Sequence, residues 1–96
     1  MADNRLRVFE SLKLSPDEWV SLGLKPTEIL FSVNDKRFHV SVPAIGEYGV
    51  GDSLKEALED AAKSIHTFYA FLTAYKNTLS PELTKTLKKF EDVVLV

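Results

Sequence analysis

The fold of this chain is decided by the stretch Phe38-His-Val-Ser-Val-Pro43 and, nine residues further on, by Asp52-Ser-Leu-Lys-Glu-Ala-Leu-Glu-Asp-Ala61. The first stretch alternates apolar and polar residues, which is typical of a strand with one buried face. Its proline cannot donate a backbone hydrogen bond, so it ends the strand or marks a sheet edge. The second stretch predicts a helix start, because Ser53 and Glu56 match a capping box.

The helix that starts at Ser53 is long and amphipathic, and we place it over residues 53–79. Its apolar side chains recur three or four residues apart, as one face of a helix requires. They are Leu54, Leu58, Ala61, Ile65, Phe68, Leu72, Tyr75 and Leu79. Ser80-Pro81 predicts a second helix over residues 80–90. The β-branched end of the chain, residues 92–96, predicts a last strand that pairs inside the sheet or with another copy of the chain.

The segments before Phe38 and after Pro43 complete the predicted sheet. Residues 27–33 alternate like a strand and lead through a polar turn into Phe38, so residues 27–50 predict a hairpin or meander. Its third strand begins at Glu47, with Gly46, Gly49 and Gly51 expected at sharp turns or bulges. Residues 1–26 form an N-terminal extension with a short helix at Ser15-Pro16-Asp17-Glu18. Within residues 1–14, strand and helix both remain open.

These elements predict one domain of the α+β class, since 96 residues fit a single domain. We expect two layers: an antiparallel sheet of three to four strands, in the order β-β-β-α-α-β, covered by one long helix. The longest uncharged run in the second half is the twelve residues of 64–75, whereas a membrane span needs about 20. The lack of cysteine excludes disulfides and favours a cytoplasmic setting.

Charge and residue chemistry argue against several kinds of site. The net charge is −2, and residues 1–50 and 51–96 each carry six basic and seven acidic side chains. Charge-driven binding of nucleic acid is therefore possible but not supported. His39 and His66 lack neighbours at metal-ligand spacing, so we expect structural roles for them and predict no catalytic residue, metal or cofactor. A triad assembled only by the fold remains open.

Four aromatic residues crowd one length of the long helix: Phe68, Tyr69, Phe71 and Tyr75. They cover more than one face of it. One interpretation is core packing together with the last helix and the tail. The other is contact with a second chain, since exposed apolar surface of this kind marks interfaces. On the second interpretation, the protein forms a homodimer or tetramer.

The segment Phe38–Ala61 resembles the N-terminal domain of HicB-like antitoxins and their stand-alone relatives, through Phe38-x-Val40-x-Val42-Pro43 and Gly51-Asp52-Ser53-Leu54 with the helix behind it. The resemblance implies a three-stranded sheet, a helix and a fourth strand, in a partial double-stranded-RNA-binding fold. The connection from Pro43 to Asp52 is one residue shorter than the family's. No DNA-binding domain of the kind that antitoxins carry is recognised, so autorepression by this sequence alone is not expected.

Three hypotheses about function follow, and the first two come from the resemblance. The first is a non-enzymatic interaction module that neutralises a small basic ribonuclease toxin, with Glu47, Glu56 and Asp60 as candidate contacts. The second is an RNA-binding protein that uses the partial double-stranded-RNA-binding fold. The third is a small ligand-binding or enzymatic domain with its site between subunits.

Overall fold

Four strands and three helices make up the part of the chain that the structure, a computed structural model, describes: residues 9–96. The elements are β1 (Glu10–Leu12), α1 (Pro16–Leu22), β2 (Ile29–Asn34), β3 (Arg37–Val42), β4 (Glu47–Gly51), α2 (Leu54–Ala74) and α3 (Pro81–Glu91). The strands form one antiparallel sheet in the order β1-β2-β3-β4. Helix α2 packs on one face of this sheet, chiefly over β4 and β3. The predicted α+β architecture is therefore confirmed.

The hairpin of β2 and β3 follows the predicted alternation. Its turn residues Asp35 and Lys36 have φ of 53° and 65°, the left-handed pair that a tight hairpin turn requires. The register places Phe31 opposite Val40. The alternating apolar residues face α2 and supply the sheet side of the core, in which Ile29, Val40 and Val42 are almost fully buried.

Two glycines of β4 correct the sequence-based expectation. Gly49 and Gly51 do not bend the strand, because they pair in register with Val40 and Phe38. They instead let α2 approach: a Cβ on Gly49 would lie 2.9 Å from the Cα of Ala61, and one on Gly51 would lie 2.7 Å from the backbone nitrogen of Ala57. Helix α2 therefore lies directly over β4 with almost no side chain between them. Of the three glycines expected at turns or bulges, Gly46, at φ 66°, is the one that lies in a turn.

All three predicted helix starts, at Ser15, Ser53 and Ser80, carry a side-chain cap. The Ser15 hydroxyl accepts the Glu18 amide of α1 at 3.2 Å, and Glu18 Oε1 accepts the Ser15 amide at 2.7 Å. At α2, the Ser53 hydroxyl accepts the Glu56 amide at 3.1 Å. Glu56 reaches one residue further back than a capping box requires and accepts the Asp52 amide at 3.0 Å. Polar side chains thus satisfy amides that each first turn leaves free.

The long helix is shorter than the predicted range of 53–79. It ends at Ala74, and a 3-10 turn follows over Lys76–Thr78. The residue before a proline avoids helical backbone, and Ser80, which precedes Pro81, is extended with ψ of 164°. The helix must therefore end early enough for the chain to turn into α3. As a result, Tyr75 lies at the helix end and is 55% exposed rather than part of the core.

The predicted last strand over residues 92–96 is wrong. Val94 forms a single antiparallel bridge with Leu24, outside the sheet. The Lys25 amide donates to the Val93 carbonyl at 2.7 Å, and the Leu95 amide donates to the Gly23 carbonyl at 2.9 Å. The tail therefore packs beside the segment that follows α1, and Val93 and Val94 are each only 2% exposed there.

The N-terminal part of the chain supplies the fourth strand instead. β1 pairs with β2, with Ser11 opposite Leu30, so part of the expected N-terminal extension belongs to the sheet. Residues 1–8, whose strand-or-helix alternatives were left open above, lie outside the described residues. Across residues 9–96, no helix combines the length and apolar character needed to cross a membrane.

Candidate interaction surface

A groove runs between the free edge of β4 and the outer side of α2, and we call it the edge groove. Its volume is about 470 Å³. Helix α2 overhangs the sheet here because it lies over β4, the last strand, rather than over the centre. The groove is lined by Glu47, Asp60, Lys63, Ser64, Thr67, Phe68 and Phe71.

The helix side of the edge groove is one stripe of α2. Asp60, Ser64, Thr67 and Phe71 follow at spacings of four, three and four residues, which places them on one face. The neighbouring faces contribute Lys63 and Phe68. Because Ala57 and Ala61 hold the adjacent face against β4, the stripe is turned past the edge of the sheet.

Aromatic rings connect the core to the surface along this side of α2. Phe90 of α3 is 1% exposed, and Phe68 meets it edge to face with ring centroids 5.3 Å apart. Phe71 stacks on Phe68 at 6.0 Å, and Tyr75 lies 5.1 Å from Phe71. We call these four rings the aromatic ladder. Its outer members, Phe71 and Tyr75, are 47% and 55% exposed, so the ladder presents supported aromatic surface to solvent.

Two of the predicted acidic contacts have structural partners. Asp60 Oδ2 accepts the amide of Val50 in β4 at 3.0 Å, and Glu56 accepts the Asp52 amide at the start of α2. A carboxylate offers about four acceptor positions, so Asp60 keeps acceptor capacity that faces the groove. Glu56 does not line the groove.

Glu47 is the acidic residue of the groove that is left without a bonding partner. It is half-buried at the start of β4, on the side of the sheet that α2 covers. Within residues 9–96 its carboxyl group accepts no hydrogen bond and forms no ion pair. Burial raises the pKa of its carboxyl group, because removal from water disfavours the charged form. A cation brought beside Glu47 would compensate that cost.

The structure brings together five of the seven predicted contact residues. Glu47 and Asp60, predicted as partner contacts, share the edge groove with Phe68 and Phe71, predicted as oligomer contacts. Tyr75 adjoins through the aromatic ladder. Glu56 and Tyr69 do not join them; Tyr69 packs against the core. Lys63, Ser64 and Thr67 were not predicted as contacts, although they follow Asp60 and precede Phe71 at helical spacing.

The histidines lie apart from the groove. His66 Nε2 lies 3.0 Å from the Leu22 carbonyl and joins α2 to the end of α1, which is a structural role. His39 lies on the sheet face opposite α2, between Ser32 and Val50. In the described chain, no three side chains of the His, Cys, Asp and Glu types gather as a metal site would require.

Comparisons with protein-family models, with curated proteins and with solved structures found no match to this chain. The resemblance to HicB-like domains therefore rests on the motif residues of Phe38–Ala61. In the structure, the residues of Phe38–Ala61 form most of β3, all of β4 and the capped start of α2. The fourth strand of the sheet, which the resemblance implies after the helix, is β1 and precedes it.

Proposed function

We propose that this chain is a non-enzymatic protein-interaction module and that the edge groove is its partner-binding surface. The observation that carries the proposal is the combination of exposed rings of the aromatic ladder with the unpaired carboxylate of Glu47. Aromatic residues held rigidly at the surface are the typical anchors of protein interfaces. An unpaired, partly buried carboxylate gives such a surface a preference for positive charge.

The HicB-like resemblance supports a more specific partner: a small basic ribonuclease toxin, which the module would neutralise by covering its active surface. The acidic groove suits a basic protein. Because the fourth strand precedes the helix rather than following it, the proposal of a toxin partner is supported by the motif residues and not by the strand order. Since the sequence contains no cysteine, a reducing compartment such as the cytoplasm suits the protein.

Co-expression tests the proposal. The tagged chain is expressed with each small basic protein encoded beside it, and recovery of the pair is compared for wild type, Glu47→Lys and Glu59→Lys. Glu59 is an exposed acid of α2 that lines no part of the edge groove. We expect Glu47→Lys to lose the partner and Glu59→Lys to keep it. No recovery with any neighbour, or equal recovery with both variants, would contradict the proposal.

RNA binding through the partial double-stranded-RNA-binding fold is the alternative outcome. A gel shift with structured RNA, measured at two salt concentrations, separates the two functions. A shift that weakens with salt and is unaffected by Glu47→Lys would replace the protein-interaction proposal, because phosphate contacts are strongly salt-dependent.

We also propose that copies of the chain associate as a homodimer or tetramer through the outer end of the aromatic ladder. Tyr75, its outermost ring, lies outside the lining of the edge groove. Ring-to-ring contact between the ends of two α2 helices would cover Tyr75 and the outer side of Phe71.

A further inference from the structure

Among residues 9–96, the strand β4 has a free edge in the sheet order β1-β2-β3-β4. In an antiparallel pair, successive residues point their backbone groups alternately toward the partner strand and away from it. The Val50 amide points away from β3, because it donates to Asp60. The backbone amide and carbonyl of Tyr48, two residues earlier, must point away from β3 as well. Within residues 9–96, neither its amide nor its carbonyl bonds to a group outside the sheet.

The space beside this edge has the form of an unfilled strand position. Neighbouring strands lie about 4.8 Å apart, and the overhanging stripe of α2 covers the position that the next strand would take. The groove side of such a strand would meet Phe68, Phe71 and Thr67. A fifth strand would thus extend the sheet and pack against α2. Its backbone would pair with Tyr48, and its side chains would fill the groove.

The charges around this position select a basic segment. Glu47 is unpaired at one end, and Asp60 retains free acceptor positions beside Val50. In the described part of the chain, Lys63 is the one basic residue that lines the groove. An arginine between the carboxylates and the ring of Phe71 could form an ion pair and a cation–π contact together.

A second copy of the chain does not fit the position by pairing β4 with β4. The axes of packed helices lie about 8–10 Å apart, whereas adjacent strands are about 4.8 Å apart. Because α2 sits directly over β4 at Gly49 and Gly51, such pairing would drive the two α2 helices into each other. The position therefore accepts a strand that carries no helix of its own above it.

From these observations we propose that the edge groove binds an extended, arginine- or lysine-bearing segment of a partner protein as a fifth strand on β4. The inference rests on the proposed function and adds the binding mode and the chemistry of the bound segment. Backbone pairing with Tyr48 supplies the alignment. The carboxylates and rings of the groove supply the preference for a basic segment.

Peptide titration of the full chain tests the inference, with backbone amide chemical shifts as the readout. The probe is a ten-residue peptide of alternating arginine and valine, and its counterpart replaces each arginine with glutamate. We expect the arginine peptide to shift the amides of Tyr48 and Gly49 and to slow hydrogen exchange at Tyr48, while the glutamate peptide does neither. No shift at Tyr48 with millimolar arginine peptide would overturn the inference.

A matched pair of variants at Tyr48 tests the backbone contact itself. Tyr48→Pro removes the outward amide and leaves the bonds to β3 intact, and an edge strand tolerates proline at such a site. Tyr48→Ala keeps the amide and removes the side chain, which is 74% exposed on the other face. We expect Tyr48→Pro to weaken peptide binding about tenfold, the effect of one lost hydrogen bond, and Tyr48→Ala to leave it unchanged. Equal binding by the two variants would overturn the backbone-pairing mode.

Glu47→Lys provides a second test of peptide binding in case Tyr48→Pro fails to fold. This variant should lose the arginine peptide while the groove and the strand edge stay in place; binding that survives it would contradict the charge argument. A co-expressed partner that is lost with Glu47→Lys but retained with Tyr48→Pro would leave the proposed function standing and remove only the fifth-strand mode.

Discussion

Single residues set the distance between the two layers of this protein. Gly49 and Gly51 place hydrogen atoms where any other residue would place a carbon, and the small side chains of Ala57 and Ala61 match them from α2. The sheet and its helix consequently approach backbone to backbone at β4. This contact places α2 over the sheet edge and so creates the overhang that forms the edge groove.

Replacing Gly49 by alanine should be costly for that reason. Its Cβ would lie 2.9 Å from the Cα of Ala61 and closer still to other backbone atoms of α2, so relief requires the helix to move. We expect a loss of about 3 kcal/mol in the free energy of unfolding, the upper range for overpacking. Urea denaturation measures it.

Gly46→Ala is the matched control for Gly49→Ala. Nothing lies within 4 Å of a Cβ added at Gly46, but its φ of 66° is left-handed. Alanine at this position should therefore lower the free energy of unfolding by about 1–2 kcal/mol. If Gly49→Ala costs no more than Gly46→Ala, the close approach of α2 to β4 is contradicted.

The carboxyl group of Glu47 should make stability depend on pH. Burial raises its pKa in the folded state, so the protonated form favours folding; that contribution is complete below the ordinary glutamate pKa and is lost as pH rises through the folded value. Glu47→Gln should therefore be more stable than wild type at pH 7, by about 0.5 kcal/mol at most. Below about pH 4, where glutamate is protonated in both states, the two should be equal.

Thermal unfolding of wild type and Glu47→Gln across this pH range measures the difference. Glu59→Gln, which replaces an exposed acid of α2 outside the groove, serves as the matched control for the change of side chain. A Glu47→Gln protein that is less stable than wild type at pH 7 would show that the ionised carboxylate has a favourable partner.

At the scale of elements, the sequence predicted those parts whose signals are local. The hairpin of β2 and β3 follows from alternation, and the starts of α1 and α2 follow from Ser15 and Ser53, because capping depends on neighbouring residues. β1 could not be predicted, since a strand of three residues has no measurable period. The prediction of a last strand at the C-terminal run Val93–Val96 was wrong because β-branched residues favour extended backbone in general, and the tail is extended outside the sheet.

The docking of that tail gives a prediction for Val94. Its side chain is 2% exposed, whereas Val96 is 97% exposed. Val94→Asp buries an unpaired charge and should lower the free energy of unfolding by about 3–5 kcal/mol. Val96→Asp introduces the same charge in water and should change it by less than about 0.5 kcal/mol. Thermal or urea unfolding of the two variants decides the point; similar values would mean that the tail does not pack behind α1.

At the scale of the whole molecule, the edge groove could be predicted only in part. The helical stripe from Asp60 to Phe71 was readable from spacing. Glu47 lies beside that stripe because β4 is the last strand of the sheet and α2 packs over it. Both features arise from packing between segments that are distant in sequence. The same limit explains Asp60: its bond to Val50 spans ten residues and exists only because β4 is an edge strand beneath the helix.

Self-association is the prediction that belongs to the assembled surface. Phe71 and Tyr75 form the exposed end of the aromatic ladder, and their exposure as a pair, on rings anchored by Phe90, favours contact with another chain. We expect sedimentation at micromolar concentration to show a dimer or tetramer of the 10.8 kDa chain. The double variant Phe71→Ser with Tyr75→Ser should sediment as the monomer and remain folded, because both side chains are about half exposed.

Tyr48→Ser separates this contact from a general loss of aromatic surface. Tyr48 is 74% exposed and lies on the sheet face away from α2, so its replacement should leave the oligomer unchanged. If wild type sediments only as a 10.8 kDa species, or if Tyr48→Ser dissociates the oligomer as fully as the double variant does, the aromatic ladder is not the contact between copies. The exposed ring of Phe71, which lines the edge groove, would then be available entirely to the partner that enters the groove.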